Sequence, residues 1–136
     1  CKLPRDAEGY MGRLRCVQEI SAVTAACMMV KTSVFKAVGG FDEELKVAFN
    51  DIDLCMKVRK YGVKIVFTPY AELYHYESKS RGMEDTPEKQ LRFSREVNCF
   101  RRKWERELLK GDPYYNPNLT LNNTDCSLRK QEKNGD

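Results

Sequence analysis

Long apolar runs are missing from this sequence. The longest, Ala22–Val30, covers nine residues and includes Thr24, far short of the roughly 20 a membrane-crossing helix needs. No stretch resembles a signal peptide. There is no CxxC pair, no close Cys/His cluster and only one histidine, His75, so the usual zinc spacings are absent. Internal repeats and low-complexity blocks are absent too. No ribonucleoprotein motif occurs, and aromatic and basic residues concentrate on only one segment, which disfavours nucleic acid as a partner.

What remains is the composition of an ordinary globular domain. The chain has 136 residues, 41% of them hydrophobic and 32% charged, with a net charge of +4. That charge suits an anionic small substrate such as a nucleoside diphosphate but demands neither nucleic acid nor a membrane. The six cysteines are even in number, yet the chain exceeds the usual size of a stapled secreted domain, and reduced thiols are expected. The chain begins at Cys1 within a polar stretch, which we read as a boundary inside a longer protein.

Residues 1–18 carry Pro4, Gly9 and Gly12 without a sustained period and read as loop. Ser21–Val30 is short, apolar and rich in small residues, as a buried strand would be. Thr32 or Ser33 can cap a short helix over Val34–Val38 that Gly39-Gly40 ends. Asn50 or Asp51 can cap a second helix, with Leu54, Val58 and Tyr61 on its buried face and Gly62 as its stop. Lys64–Thr68 and Ala71–Tyr76 read as strands, and Glu77–Asp85 as a polar loop. Asp85-Thr86-Pro87-Glu88 is a strong helix start. The helix it opens runs to about Lys110, with Phe93, Val97, Phe100, Trp104 and Leu108 as its apolar stripe. Its basic remainder reads as a solvated face, with an anionic membrane surface as the alternative. The tail Asp112–Leu121 is turn-rich, and residues 129–136 are expected to be disordered.

Candidate chemistry lies between Gly39 and His75. Taken singly, GGFDE is a helix stop with a polar turn, and NDIDL is a capped helix start whose carboxylates favour the positive end of the helix dipole. His75 alone is an ordinary strand histidine. The order of the segments says more. AVTAACMMVKTSVFKAVGGFDE, then AFNDIDLCMKVRKYG, then PYAELYH together resemble bacterial family 2 (GT-A type) glycosyltransferases, from Ser21 to about Arg81. A looser resemblance continues to DPYYNPNLTL.

The resemblance implies an α/β fold: a partial GT-A domain over residues 1–128, with a short mixed sheet and a long C-terminal helix. It implies the C-terminal, acceptor-side half of an inverting, metal-dependent enzyme. Such an enzyme moves a sugar from a nucleotide sugar to a glycan or lipid-linked acceptor in cell-surface polysaccharide assembly. By family position Asp51 is the general base, and Asn50 stands where Glu is commoner. Asp53 organises the helix start or contacts the acceptor. Thr24 to Met28 and Gly39-Gly40 match acceptor-side walls, Gly39 being equally explained as a helix cap. His75 matches the histidine that completes the shell of Mn²⁺ or Mg²⁺. Lys79 and Arg81, in the loop after it, read either as surface or as a flap closing on the diphosphate.

Asp51-Ile52-Asp53 also spells the DxD metal pattern. Metal-binding DxD ends an apolar strand, whereas this one opens a helix, and the resemblance implies that the metal-binding DxD lies upstream of Cys1. The chain alone is therefore expected to be inactive and to bind metal poorly. It is further expected to be cytoplasmic, with contact to the inner membrane face as an option, and to dimerise across surfaces left by a missing nucleotide-binding half. The alternative is a non-catalytic acceptor-binding or oligomerisation module.

Overall fold

The computed structural model describes residues 4–74, 86–123 and 126–129. Three helices dominate it: α1 (Thr32–Ala37), α2 (Asn50–Lys60) and α3 (Pro87–Leu109). Two-residue strands β1 (Gln18–Glu19) and β2 (Val66–Phe67) pair antiparallel, Gln18 opposite Phe67 and Glu19 opposite Val66. The Ile20 N–H adds one bond to the Ile65 carbonyl. The sheet among the described residues is thus antiparallel and small, not the mixed sheet expected. The chain remains a mixed α and β structure with a long C-terminal helix.

Several elements differ from their sequence reading. Within 1–18, Tyr10–Arg15 forms 3₁₀ turns broken at Met11 and Gly12, and Gln18 enters β1. Ser21–Val30 is not a strand. Thr24 accepts a hydrogen bond from the Ala26 N–H and opens a 3₁₀ turn over Ala25–Cys27, which is exposed. The small residues that suggested burial instead let this turn lie against α2. Lys64–Thr68 shortens to β2, because β1 offers few residues to pair with. Residues 71–74 are not a strand, and the rest of Ala71–Tyr76 lies outside the described residues.

The helices fall where sequence places them, with altered ends. Lys31, not Thr32 or Ser33, is the cap residue of α1 and makes no side-chain cap bond. Gly39 N–H bonds to the Lys36 carbonyl and Gly40 N–H to the Phe35 carbonyl, the paired closure of a Schellman motif. Both glycines have positive φ, 78° and 64°. A Cβ on Gly40 would stand 3.0 Å from the Phe35 ring, whereas one on Gly39 would meet open space. Phe49, rather than Asn50 or Asp51, caps α2, in the left-handed region at φ 63°. Thr86 caps α3 through its hydroxyl, which accepts from the Lys89 N–H.

The core is small. Leu45, Phe100 and Trp104 form its buried centre, with Phe49, Ile52, Met56 and Cys99 packed around them. Leu54, Cys55 and Val58 are buried along α2, while Tyr61, expected on the same stripe, is exposed. On α3 the buried residues are Glu96, Phe100 and Trp104. Phe93 and Leu108, the ends of the expected stripe, are nearly half exposed. Cys16, Cys27, Cys55, Cys99 and Cys126 are free thiols. No helix among the described residues is long and apolar enough to cross a membrane.

Candidate functional site

Helix α2 presents two carboxylates, two residues apart, to opposite sides. At about 100° per residue, positions 51 and 53 differ by roughly 200°, so one faces outward when the other faces in. Asp51 and Cys55, at i and i+4, face the loop before α1. Asp51 Oδ2 accepts from the Ala25 N–H at 3.1 Å, and Cys55 Sγ lies 3.5 Å from the Val23 N and 3.6 Å from its carbonyl. Burial raises the Cys55 thiol above its ordinary pKa, which leaves it an inert packing group. Asp51 Oδ1 accepts from the Ile52 N–H at 2.8 Å. Asp51 is only partly buried, and each carboxylate oxygen retains a free lone-pair direction.

Asp53 has the contrary environment. It is fully buried. Its Oδ1 accepts from the Trp104 indole Nε1–H at 2.8 Å and lies 2.7 Å from the Lys103 ammonium. Its Oδ2 faces Lys57 Nζ at 3.0 Å without an aligned hydrogen bond, since Lys57 donates instead to the Gly40 carbonyl at 2.8 Å. Lys103 also bonds Asp42 of the GGFDE segment. One chain of charges, Asp42–Lys103–Asp53–Lys57, therefore joins both acidic motifs to α3 beneath the helix that carries Asp51.

The charges tune one another. Asp42 lies below its ordinary range because Lys103 donates to it, helped by the Glu44 N–H. Burial works against the charged form of Lys103, yet its bonds to Asp42 and Asp53 outweigh that and raise its pKa.

The structure thus brings Thr24 and Asp51 together across Ala25, and ties Gly40, through Lys57, to Asp53. Asn50 is the first residue of α2, partly buried, and its side chain makes no hydrogen bond among the described residues. Gly39 and Gly40 are accounted for by helix closure and by the Phe35 ring. His75, Lys79 and Arg81 lie outside the described residues. Sequence reading passed over Lys57 and Glu96 and left Lys103 on a solvated basic face, yet all three are polar partners of the motif segment. The i, i+4 spacing of Asp53 and Lys57 was the available signal.

Asp51 and Asp53 do not fit a metal site together. Asp53 is sealed, and its charge is already met by two ammonium groups, which would repel a divalent cation. No cluster of three or more metal-capable side chains occurs among the described residues. A groove of about 1250 Å³ lies elsewhere. Phe49, Ile52, Met56, Phe100 and Trp104 line it with the cations of Arg59 and Lys60, and Asp51 and Thr24 do not reach it.

No protein-family model matches the chain, and no solved structure does. Among curated proteins it is 56% identical over 126 residues to the "Uncharacterized protein y4gI" of Sinorhizobium fredii, covering 92% of this chain and 14% of that protein. It is 39% identical over 115 residues to the O-antigen biosynthesis protein RfbC of Myxococcus xanthus, covering 85% of this chain and 9% of that one. A shorter match, 36% over 62 residues, joins 46% of the chain to 20% of an N-acetylglucosaminyl-diphospho-decaprenol L-rhamnosyltransferase of Mycobacterium tuberculosis. The chain therefore spans only a small part of the length of these relatives.

Proposed function

We propose that this chain is the acceptor-side part of a longer glycosyltransferase working in polysaccharide assembly, and that Asp51 is its general base. The similarities to an O-antigen biosynthesis protein and to a rhamnosyltransferase support the reaction class. One observation carries the base assignment: of the two NDIDL carboxylates, Asp51 is partly open and Asp53 is sealed. Only an accessible carboxylate can take a proton from a substrate hydroxyl.

In the proposed reaction the acceptor hydroxyl lies along the Asp51 face of α2. Asp51 accepts its proton as the oxygen bonds to the anomeric carbon from the side opposite the leaving nucleoside diphosphate, which inverts that carbon. The Ala25 and Ile52 N–H groups hold the carboxylate plane, so the base is oriented before substrate arrives. On this reading Mn²⁺ or Mg²⁺ belongs to His75 and to carboxylates outside this chain, and Lys79 and Arg81 meet the diphosphate. The proposed location is cytoplasmic, at or near the inner face of the membrane.

The test is Asp51→Asn in the intact transferase. Asparagine keeps the shape and loses the basicity, so kcat should fall by about 10²–10⁴-fold while nucleotide-sugar binding by calorimetry stays as it was. A module that only binds acceptor would be indifferent to the change, and ordinary turnover in the variant would sink the assignment.

A further inference from the structure

Three side chains of α3, at i, i+4 and i+8, reach the segment that leads into and forms the first turn of α2. Glu96 Oε2 accepts from the Ala48 N–H at 2.6 Å. The Phe100 ring stacks on Phe49, centroids 5.0 Å apart and planes 21° from parallel. Trp104 donates to Asp53, with Lys103 beside it. All three α3 residues are buried, at 3%, 6% and 4% exposure. These are the only buried positions on the helix among its described residues.

Both sides of this contact are distorted. Phe49 sits at φ 63°, a conformation that is costly for a bulky side chain. Rings on α3, Phe93 at 6.0 Å and Phe100 at 5.0 Å, pack against it there. On α3, Trp104 departs from helical geometry at φ −115°, ψ 19°. Such local departures persist where surrounding contacts over-determine them.

We propose that the buried edge of α3 is a splint for the Asp51 segment, with Glu96, Phe100, Lys103 and Trp104 as positioning residues. The inference deepens the glycosyltransferase reading and rests on it for its catalytic consequence. Stability alone does not call for this arrangement, because apolar side chains of similar volume commonly replace a buried ion network at no cost. What the polar contacts fix is position: Glu96 holds a backbone N–H three residues before the base, and Lys103 and Trp104 hold a carboxylate two residues after it. α2 is rigid over one turn, so fixing Asp53 on its inner side sets Asp51 on its outer side.

The experiment uses amide NMR of this chain, with Trp104→Phe to remove the indole donor while keeping a ring, and Lys103→Met as a second variant. The Ala25 and Ile52 amides bond directly to Asp51. Their signals should move in both variants, and exchange of the Ala25 amide should speed up by about tenfold or more, while α1 amides stay in place. In the intact transferase the same variants should lower kcat by about tenfold to a hundredfold with KM for the nucleotide sugar unchanged. Unmoved Ala25 and Ile52 signals in a folded variant, or an unchanged kcat in both, would overturn the splint and leave the base assignment standing. Activity in Asp51→Asn would remove the base assignment and leave the NMR result standing.

Discussion

Asp51 and Asp53 are the same residue type, two positions apart on one helix, and they have opposite fates. In the sequence only family position singled out Asp51, and nothing there showed that Asp53 is buried while Asp51 stays partly open. The partners decide: Ala25 N–H on one side, and Trp104, Lys103 and Lys57 on the other. Gly39 and Gly40 make a similar pair. Sequence reading accounted for Gly39 as a helix stop and looked to substrate for Gly40. The structure supplies a local reason, the Phe35 ring at 3.0 Å from where a Cβ would stand. Gly39→Ala should cost about 1–2 kcal/mol, the left-handed backbone alone. Gly40→Ala should cost about 1–3 kcal/mol more, as an overpacked contact does. Urea denaturation of the two variants checks the order, and equal losses would show that the ring yields freely.

Among the elements, α3 was the most legible, since its polar start and its early proline are local signals. Its buried edge was legible only in part, at Phe100 and Trp104. Hydrophobic periodicity chose Phe93 and Leu108, while the structure chose Glu96 and left those two nearly half exposed. A pattern scan for apolar residues passes over a buried acid by construction. The Ser21–Val30 strand failed for a complementary reason, because strand formation depends on a partner and not on local composition. The loop–helix connection through Asp42 and Lys103 gives a pH prediction. Asp42 titrates below its ordinary 3.8 in the folded chain, so its stabilisation is present above that value and lost as pH falls through the folded one. Lys103 titrates above its ordinary 10.5, so its stabilisation is present below that value and lost as pH rises through the folded one. The urea midpoint should therefore hold between these limits and fall beyond both. Asp42→Asn should flatten the acid limb, and Lys103→Met the alkaline one. An acid limb identical in Asp42→Asn and the unaltered chain would mean that this pair does not link the loop to α3.

At the scale of the whole molecule, the buried apolar centre is too small for the surface around it. Seven hydrophobic residues are buried among those described, and they must hold three helices and a sheet of two-residue strands. Met29 is 99% exposed, Tyr74 86%, Met11 86% and Leu109 82%. Scattered exposed apolar groups are normal, but here they accompany a groove that opens onto Phe100 and Trp104, the core itself. On the proposed reading the rest of a longer transferase covers part of this surface, in keeping with relatives of which this chain spans 14% and 9%. Isolated, the chain should bury it by association. Light scattering coupled to size exclusion should show mass rising from one chain toward two or more with concentration, alongside binding of an apolar fluorophore at the lowest concentrations. Adding the preceding part of the intact protein to the same polypeptide should suppress both. A monomer throughout, dark to the fluorophore, would mean that the chain closes its own core and is a self-sufficient domain.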